Sequence, residues 1–215
     1  MNTSPNGKRI LIYGDSITWG RIANTPHRYD ASIRYTGVLQ KELGLGYEII
    51  EEGLRGRMAG GENPYFENKD GWSQFLPIYL SQLPVDLLII FLGTNDRNAK
   101  SNKNSESIAQ DVKKYIDKAR SLSKEQEMHE PAILLIAPPI IDESVLKPST
   151  MFSGAHDRMK DLPKLLEDIS KENDCYFFDS NKYIKVCSED GVHLNKENNI
   201  ILGKELATFV KNIEL

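Results

Sequence analysis

The sequence predicts an α/β fold, a three-layer α/β/α sandwich around a five-stranded parallel sheet. Short apolar runs alternate along the chain with longer segments in which apolar residues recur at helical spacing, and this alternation is typical of a parallel sheet covered by helices. Three of the runs are continuous stretches of Ile, Leu, Val or Phe, as expected of strands buried on both faces. The length of 215 residues fits one domain, residues 1–215, better than two.

Five predicted strands and five predicted helices follow one another in strict alternation. The strands are expected at residues 9–13, 47–52, 87–92, 132–137 and 176–179. The helices are expected at residues 36–43, 72–83, 106–123, 155–173 and 196–212, and Asn195 is the expected N-cap of the last one. Right-handed crossovers between such units favour the strand order 2-1-3-4-5.

Polar and glycine-rich segments follow the predicted strands, at the edge where ligands bind in an open parallel sheet. These segments are, in chain order, GDSITWG, GLRGRMAGG, GTNDRN, PPIIDES and EDGVHLN. Because the carboxyl ends of parallel strands meet at the same edge, we expect the segments to lie close together. The sequence therefore predicts a functional site at this edge.

Ser16, in the first of these segments, is a candidate both for a helix cap and for a nucleophile. Serine after a strand most often caps the next helix, and it becomes a nucleophile only beside a base that a third group orients. His193 is the candidate base, because Asp190 precedes it by three residues across a glycine and can turn back onto Nδ1. The same DGVH segment is also a strong surface-turn signal. The other histidines are interpreted as solvated or capping residues: His27, His129 and His156.

Donors for a developing oxyanion are available in the second and third segments. Asn95 offers a side-chain amide, and the glycines of EEGLRGR let the backbone approach a substrate closely. Each segment alone is also ordinary turn chemistry. The residues by themselves leave both interpretations open.

Composition and motifs argue against several classes of function. The net charge of −4, without any Lys/Arg cluster, gives no footprint for nucleic acid or an anionic membrane. There is no P-loop, no complete dinucleotide fingerprint and no G-x-S-x-G nucleophile elbow. Metal-ligand spacings such as H-E-x-x-H are missing, so no metal is expected. Four side chains are nevertheless candidates to gather around an ion: Asp15, Asp96, Asp190 and His193.

The sequence also predicts a cytoplasmic protein. The longest apolar run, residues 85–93, contains Asp86 and is too short to span a bilayer. No apolar leader followed by a small-residue cleavage site is found near residue 1. Cys175 and Cys187 show no metal or disulfide pattern and are expected to be reduced.

Taken together, four of the segments resemble the GDSL/SGNH hydrolase family. GDSIT is similar to its first block, EEGLRGR to its second, GTND to its third and DGVH to its last, in the same order and over nearly the whole chain. The longer strings GDSITWG and EEGLRGR are most similar to the arylesterase/acyltransferase branch. The resemblance implies a flavodoxin-like sandwich with a serine triad and no cofactor.

The resemblance also implies a role for each matched residue. Ser16 is the implied nucleophile, His193 the general base, and Asp190 the group that orients the base. The implied oxyanion hole consists of the backbone N–H groups of Ser16 and Gly56 and the side-chain amide of Asn95.

Gly56 is preferred to Gly53 as the second donor because the family's donor lies late in its block, just before Arg57. Arylesterase relatives often continue this block with Arg-Thr-Thr, whereas this chain continues with Met58 and Ala59. A main-chain donor does not depend on those side chains, but the shape of the pocket does.

The implied activity is hydrolysis of a small or carbohydrate-linked ester through an acyl-enzyme, with acyl transfer to an alcohol as a related reaction. Trp19 is expected to contact the substrate, in an apolar wall with Phe66, Trp72 or Phe152, and Asp15 is expected to be a structural carboxylate. The expected partners are a small-molecule ester and further copies of the chain, because similar arylesterases assemble into oligomers. Two alternatives stay open: a metal-dependent phosphoesterase and a non-catalytic binding domain on the same fold.

Overall fold

The computed structural model describes residues 7–146 and 151–215 and contains a five-stranded parallel sheet between two layers of helices. The strands are β1 (Lys8–Gly14), β2 (Tyr47–Gly53), β3 (Leu87–Phe91), β4 (Ala132–Ala137) and β5 (Tyr176–Asp179). All neighbouring strands are parallel, in the order β2-β1-β3-β4-β5. The predicted sandwich and its 2-1-3-4-5 order are therefore confirmed.

The helices cover both faces of this sheet. They are α1 (Ser16–Trp19), α2 (Tyr35–Leu43), α3 (Gly71–Gln82), α4 (Ser105–Glu125), α5 (Ala155–Met159), α6 (Leu162–Glu172) and α7 (Lys196–Val210). Asn195 is the N-cap of α7, as predicted, and its side chain accepts the N–H of Asn198.

The prediction of one helix over residues 155–173 is wrong, because the chain forms two helices there. α5 ends at Met159 and α6 begins at Leu162. Pro163 explains the break, since it has no N–H for the Met159 carbonyl and its ring would clash with that carbonyl in a continuous helix. In the first turn of a new helix the missing N–H costs nothing, and Pro163 lies in that turn of α6.

The alternation of side chains along β1 builds two separate cores. Leu11 and Tyr13 point into a cluster with apolar residues of α3, α4 and α6, whereas Ile10 and Ile12 point into a cluster with α2 and α7. All four side chains are fully buried. Both faces of the central strand are thus covered, which fixes the carboxyl edge of the sheet for the loops that follow it.

The carboxyl ends of β1 and β2 are held together by a buried arginine. The Arg57 guanidinium donates to the carbonyl of Gly14 at 2.9 Å and to the carbonyl of Glu52, and it lies 4.1 Å from the centre of the Tyr13 ring. A side chain at Gly14 would lie 2.0 Å from the hydroxyl of Thr18. Glycine at this position therefore lets α1 start immediately beyond the strand.

Three further predictions concern membrane-spanning segments, the cysteines and the number of domains. Within residues 7–146 and 151–215, no helix has the length and apolar character needed to cross a membrane. Cys175 and Cys187 are both free thiols, as predicted. A single domain over residues 1–215 stays a prediction, because residues 1–6 and 147–150 lie outside the described part.

Candidate active site

A cleft of about 370 Å³ opens at the carboxyl edge of the sheet, where the loops after β1, β2 and β3 meet the segment before α7. Five of the six residues to which the sequence assigned a catalytic, oxyanion or substrate-binding role line this cleft: Ser16, Trp19, Gly56, Asn95 and His193. The predicted position of the site at the strand ends thus agrees with the structure. Asp190 lies behind His193, on the side away from the serine hydroxyl.

Ser16, His193 and Asp190 form one chain of hydrogen bonds. The Ser16 Oγ lies 2.9 Å from His193 Nε2, and His193 Nδ1 lies 2.7 Å from Asp190 Oδ2. An ionised carboxylate only accepts, so Nδ1 carries the proton that it donates to Asp190 and Nε2 is left to accept from the Ser16 hydroxyl. Ser16 and His193 are both buried. This is the geometry in which a histidine can take a proton from a serine.

The turn DGVH places the Asp190 carboxylate. Its Oδ1 accepts the backbone N–H groups of Val192 and His193 at 3.0 and 2.9 Å. Gly191 has a φ of +67°, and a side chain there would lie 2.3 Å from the carbonyl of Asp142. The segment is therefore a tight turn, as its sequence favours, and the turn itself aims the carboxylate at the imidazole.

Asp190 remains ionised in this environment. Partial burial alone would raise the pKa of its carboxyl, but the hydrogen bond and charge of His193 and the two backbone donors together bring that pKa well below the ordinary value. A carboxylate that stays charged keeps the imidazole in one tautomer and stabilises an imidazolium.

The residue that caps α1 is Asp15, so the interpretation of Ser16 as a helix cap is wrong. Asp15 Oδ1 accepts the N–H of Ile17 at 2.9 Å, and Ser16 is the first residue of the helix. The expectation that Asp15 is a structural carboxylate agrees with this contact. Because the cap is supplied by its neighbour, the Ser16 hydroxyl is free to pair with His193. Burial raises the pKa of the Asp15 carboxyl.

The three residues expected to supply oxyanion donors, Ser16, Gly56 and Asn95, all line the cleft. The Asn95 Nδ2 donates to the carbonyl of Arg57 at 3.0 Å, and its distance to Asp15 Oδ2 is 3.5 Å, which is longer than an ordinary N–H···O bond. One N–H thus anchors the amide and the other has no strong acceptor. Gly56 has a φ of +80°, which favours glycine, and it lines the cleft, where a side chain at this position would lie 3.1 Å from the Phe66 ring.

Asp96, next to Asn95, has a positioning role that the sequence did not predict. Its fully buried carboxylate accepts the N–H of Ala59 at 3.0 and 2.8 Å and an ammonium proton of Lys103 at 3.0 Å. The GTND segment is thereby tied to the GLRGRMAGG segment. The sequence signals this role of Asp96 only by placing it directly after Asn95.

The aromatic wall of the cleft consists of Trp19, Phe66 and Phe152. Trp72, the fourth aromatic residue expected there, packs edge-on against Tyr115 with ring centres 5.5 Å apart and does not line the cleft. Sequence reasoning also missed the cations in the cleft lining: Arg21, Arg55 and Lys69.

The other candidate groups lie elsewhere or have partners. The remaining three histidines are exposed and are not in the cleft: His27, His129 and His156. Among the residues that the structure describes, no three His, Cys, Asp or Glu side chains are arranged so that they could hold a metal ion. Asp96 is separate from the pair Asp190 and His193, since it contacts Lys103 instead.

Comparisons with known proteins agree with this site. Residues 12–198 match the model of the GDSL-like lipase/acylhydrolase family. The native aryl esterase of M. smegmatis is 30% identical, with a TM-score of 0.91 over 97% of this chain and 100% of that one. A carbohydrate acetylesterase from Sinorhizobium meliloti is 33% identical, with a TM-score of 0.87 over 95% and 98% of the two chains. The search of curated proteins found no match.

A lipase/acylhydrolase from Enterococcus faecalis, at 17% identity and a TM-score of 0.67, covers 95% of both chains and shares the fold alone. The matched residues 12–198 include Ser16, Asn95, Asp190 and His193, and they span most of the 215-residue chain. The resemblance drawn from four short segments is confirmed: the chain belongs to the GDSL-like lipase/acylhydrolase family.

Proposed function

We propose that this carboxylic-ester hydrolase acts through an acyl-enzyme formed on Ser16. The observation that carries the proposal is the continuous hydrogen-bond chain from Ser16 Oγ through His193 to Asp190, with distances of 2.9 and 2.7 Å. His193 Nε2 removes the hydroxyl proton as Oγ attacks the ester carbonyl, and Asp190 stabilises the imidazolium that results.

The tetrahedral intermediate is held by the backbone N–H groups of Ser16 and Gly56 and by the side-chain amide of Asn95. The imidazolium then gives its proton to the departing alcohol, and the acyl group stays on Ser16. Water, activated by the same imidazole, releases the acid and restores the serine. An alcohol that replaces water in this second half accepts the acyl group instead, which makes acyl transfer the same chemistry with another acceptor.

The substrates we propose are esters of short acyl groups on a small aromatic or sugar alcohol. The cleft of about 370 Å³ is near the lower end of ligand pockets, which are typically about 300–1,000 Å³. The aromatic residues Trp19, Phe66 and Phe152 in its wall suit a flat or ring-shaped leaving group. The M. smegmatis aryl esterase and the S. meliloti carbohydrate acetylesterase support the same two classes of alcohol.

A comparison of acyl chain lengths in the presence of a chelator tests this function. We expect 4-nitrophenyl acetate and an acetylated sugar to be hydrolysed faster than the corresponding octanoates, at rates that EDTA leaves unchanged, because every group in the proposed mechanism belongs to the chain. Hydrolysis of bis(4-nitrophenyl) phosphate that EDTA abolishes, together with inertness toward the acetates, would favour the metal-dependent phosphoesterase.

Asn95→Ala is expected to lower kcat for 4-nitrophenyl acetate by about 10²–10³, because one oxyanion donor typically contributes that factor. KM should change much less, since the donor acts mainly on the transition state. Steady-state kinetics on both proteins measure the effect. Thermal unfolding must be followed alongside, because the variant leaves the Arg57 carbonyl without its donor. A kcat within about threefold of the parent would remove Asn95 from the oxyanion hole.

We further propose a cytoplasmic location, which the two free thiols support. The proposed partners are a small-molecule ester and, as a homo-oligomer, further copies of this chain, with neither nucleic acid nor a membrane as a partner. The net charge of −4 supports the last point.

A further inference from the structure

The cleft carries a group of positive charges that the proposed reaction does not use. Arg21, Arg55 and Lys69, here called the cationic rim, all line the cleft. Among the described residues that line the cleft there is no aspartate or glutamate, although the chain as a whole is acidic, with a net charge of −4. The charge at the cleft is therefore positive, whereas the net charge of the whole chain is negative.

The two arginines of the rim form no direct ion pair in the described part of the chain. Neither Arg21 nor Arg55 is in an ion pair. The Nε atoms of both are buried without any hydrogen-bond partner. Among the described residues, the Arg55 guanidinium has one acceptor, the Pro26 carbonyl at 3.5 Å from Nη1. Its Nη2 group therefore donates to no described residue.

Two carboxylates near this region, those of Glu51 and Asp190, have other partners. Glu51 accepts from Arg34 at 2.6 and 2.5 Å and from Arg28 at 3.3 Å. Asp190 is occupied by His193 and two backbone N–H groups. Neither carboxylate forms an ion pair with Arg21 or Arg55. The charge of Asp190 does act on Arg21, but without a direct contact between the two groups.

The two arginines are held at the cleft, although their charges repel each other. Burial, followed by the charge of Arg55, lowers the pKa of Arg21. Arg55 is fixed by the Trp19 ring, whose centre lies 5.2 Å from the guanidinium carbon. Guanidinium groups that line a cleft without forming an ion pair are suited to a planar anion, because a carboxylate or a phosphate accepts two parallel N–H bonds from such a group.

We propose that the cleft selects esters that carry an anionic group, a carboxylate or a phosphate or sulfate, and that Arg21 and Arg55 bind this group. The inference rests on the proposed function, because it concerns the substrate of the same serine. The anion is placed beside Trp19, where the guanidinium of Arg55 already lies.

Two pairs of substrates test the inference, and each pair differs by one charge. Mono-4-nitrophenyl adipate is compared with its methyl ester, which puts the anion on the acyl side. 3-Acetoxybenzoate is compared with methyl 3-acetoxybenzoate, which puts it on the alcohol side. The readout is the ratio of kcat/KM for the anionic and the neutral member. We expect this ratio to exceed about ten in at least one pair and to fall as salt is raised, because salt screens charge pairs.

Arg21→Gln and Arg55→Gln are each expected to lower that ratio by about tenfold, as for a charge pair that is neither fully exposed nor fully buried. The neutral substrate serves as the internal reference for each variant. Arg55→Lys keeps the cation and is expected to retain most of the preference. Arg28→Gln is the matched control, because Arg28 also lies over Trp19, at 5.7 Å, but pairs with Glu51 and does not line the cleft.

The outcomes separate this inference from the proposed function. Hydrolysis of the neutral esters with a ratio near or below one in both pairs overturns the inference and leaves the Ser16 mechanism intact. A preference that survives in the Arg21→Gln, Arg55→Gln double variant, or that Arg28→Gln removes equally, also overturns it. No hydrolysis of any of the four esters contradicts the proposed function itself.

Discussion

Ser16→Ala is expected to lower kcat for 4-nitrophenyl acetate by about 10⁴–10⁶, the range found when the nucleophile of a serine triad is removed. The loss is large because no other group in the mechanism can form the acyl-enzyme. His193 would still lie in the cleft, but without the hydroxyl at 2.9 Å it has no proton to remove. The effect is measured as the rate of 4-nitrophenolate release, by stopped-flow or steady-state kinetics, with correction for the uncatalysed reaction.

Folding must be excluded as the cause of that loss. Within the described residues, the Ser16 hydroxyl pairs only with His193 and caps no helix, so Ser16→Ala should unfold within a few degrees of the parent protein. Ser81→Ala is a suitable control, since this hydroxyl is exposed and donates only to the Ile78 carbonyl within its own helix. A Ser16→Ala protein that keeps more than about a tenth of the parent activity contradicts the assignment.

Asp190→Asn is expected to lower kcat by about 10⁴, with little change in shape. An asparagine at this position can still accept the N–H groups of Val192 and His193, which hold the turn. Its amide nitrogen, however, would donate to Nδ1 and favour the tautomer in which Nε2 carries the proton. That imidazole cannot accept from Ser16.

The pH dependence gives the Asp190 prediction a second readout. Because the folded pKa of Asp190 is depressed, its carboxylate stabilises the fold above its unfolded pKa of about 3.9, and this contribution is lost as the pH falls through the folded value. The difference in unfolding free energy between the parent and Asp190→Asn should therefore shrink as the pH falls below about 4. Asp161→Asn is the control, because this side chain is exposed and makes no capping hydrogen bond. Equal kcat in parent and Asp190→Asn would contradict the triad.

The sheet and the triad could be predicted because both depend on local patterns combined with one general rule. Apolar runs identify buried strands, and the parallel arrangement places every strand end at one edge. Ser16 and His193 are 177 positions apart, yet both lie in segments that follow strands, so the rule places both at one edge of the sheet. Their pairing was implied by the resemblance to the hydrolase family. The turn chemistry of Asp190 and Gly191 then supplies the third member.

The roles of the two arginines in the second segment could not be predicted. They depend on tertiary contacts, and two residues that are close in sequence can differ in these contacts. Arg55 and Arg57 are two positions apart in EEGLRGR, and the sequence does not show which of them is buried. Arg57 is buried and donates to backbone carbonyls, whereas Arg55 lines the cleft without an ion pair. The difference arises because Gly56, with its positive φ, turns the chain between them.

The break in the helix at residues 155–173 has a different cause. Pro163 was visible in the sequence, and its meaning as a first-turn residue of α6 follows directly from its missing N–H. The helical spacing of apolar residues continues across the break because α5 and α6 both pack against the same core cluster. The continuous apolar spacing thus predicted one helix, although Pro163 indicates where a new helix begins.

Covalent labelling at Ser16 tests the central claim most directly. A fluorophosphonate that reacts with activated serines should add about one group per chain, and peptide mapping by mass spectrometry should place it on Ser16. Loss of esterase activity should follow the extent of labelling, and His193→Ala should react far more slowly because its serine lacks the base. A label on another serine, or full esterase activity in a completely labelled protein, would contradict the account.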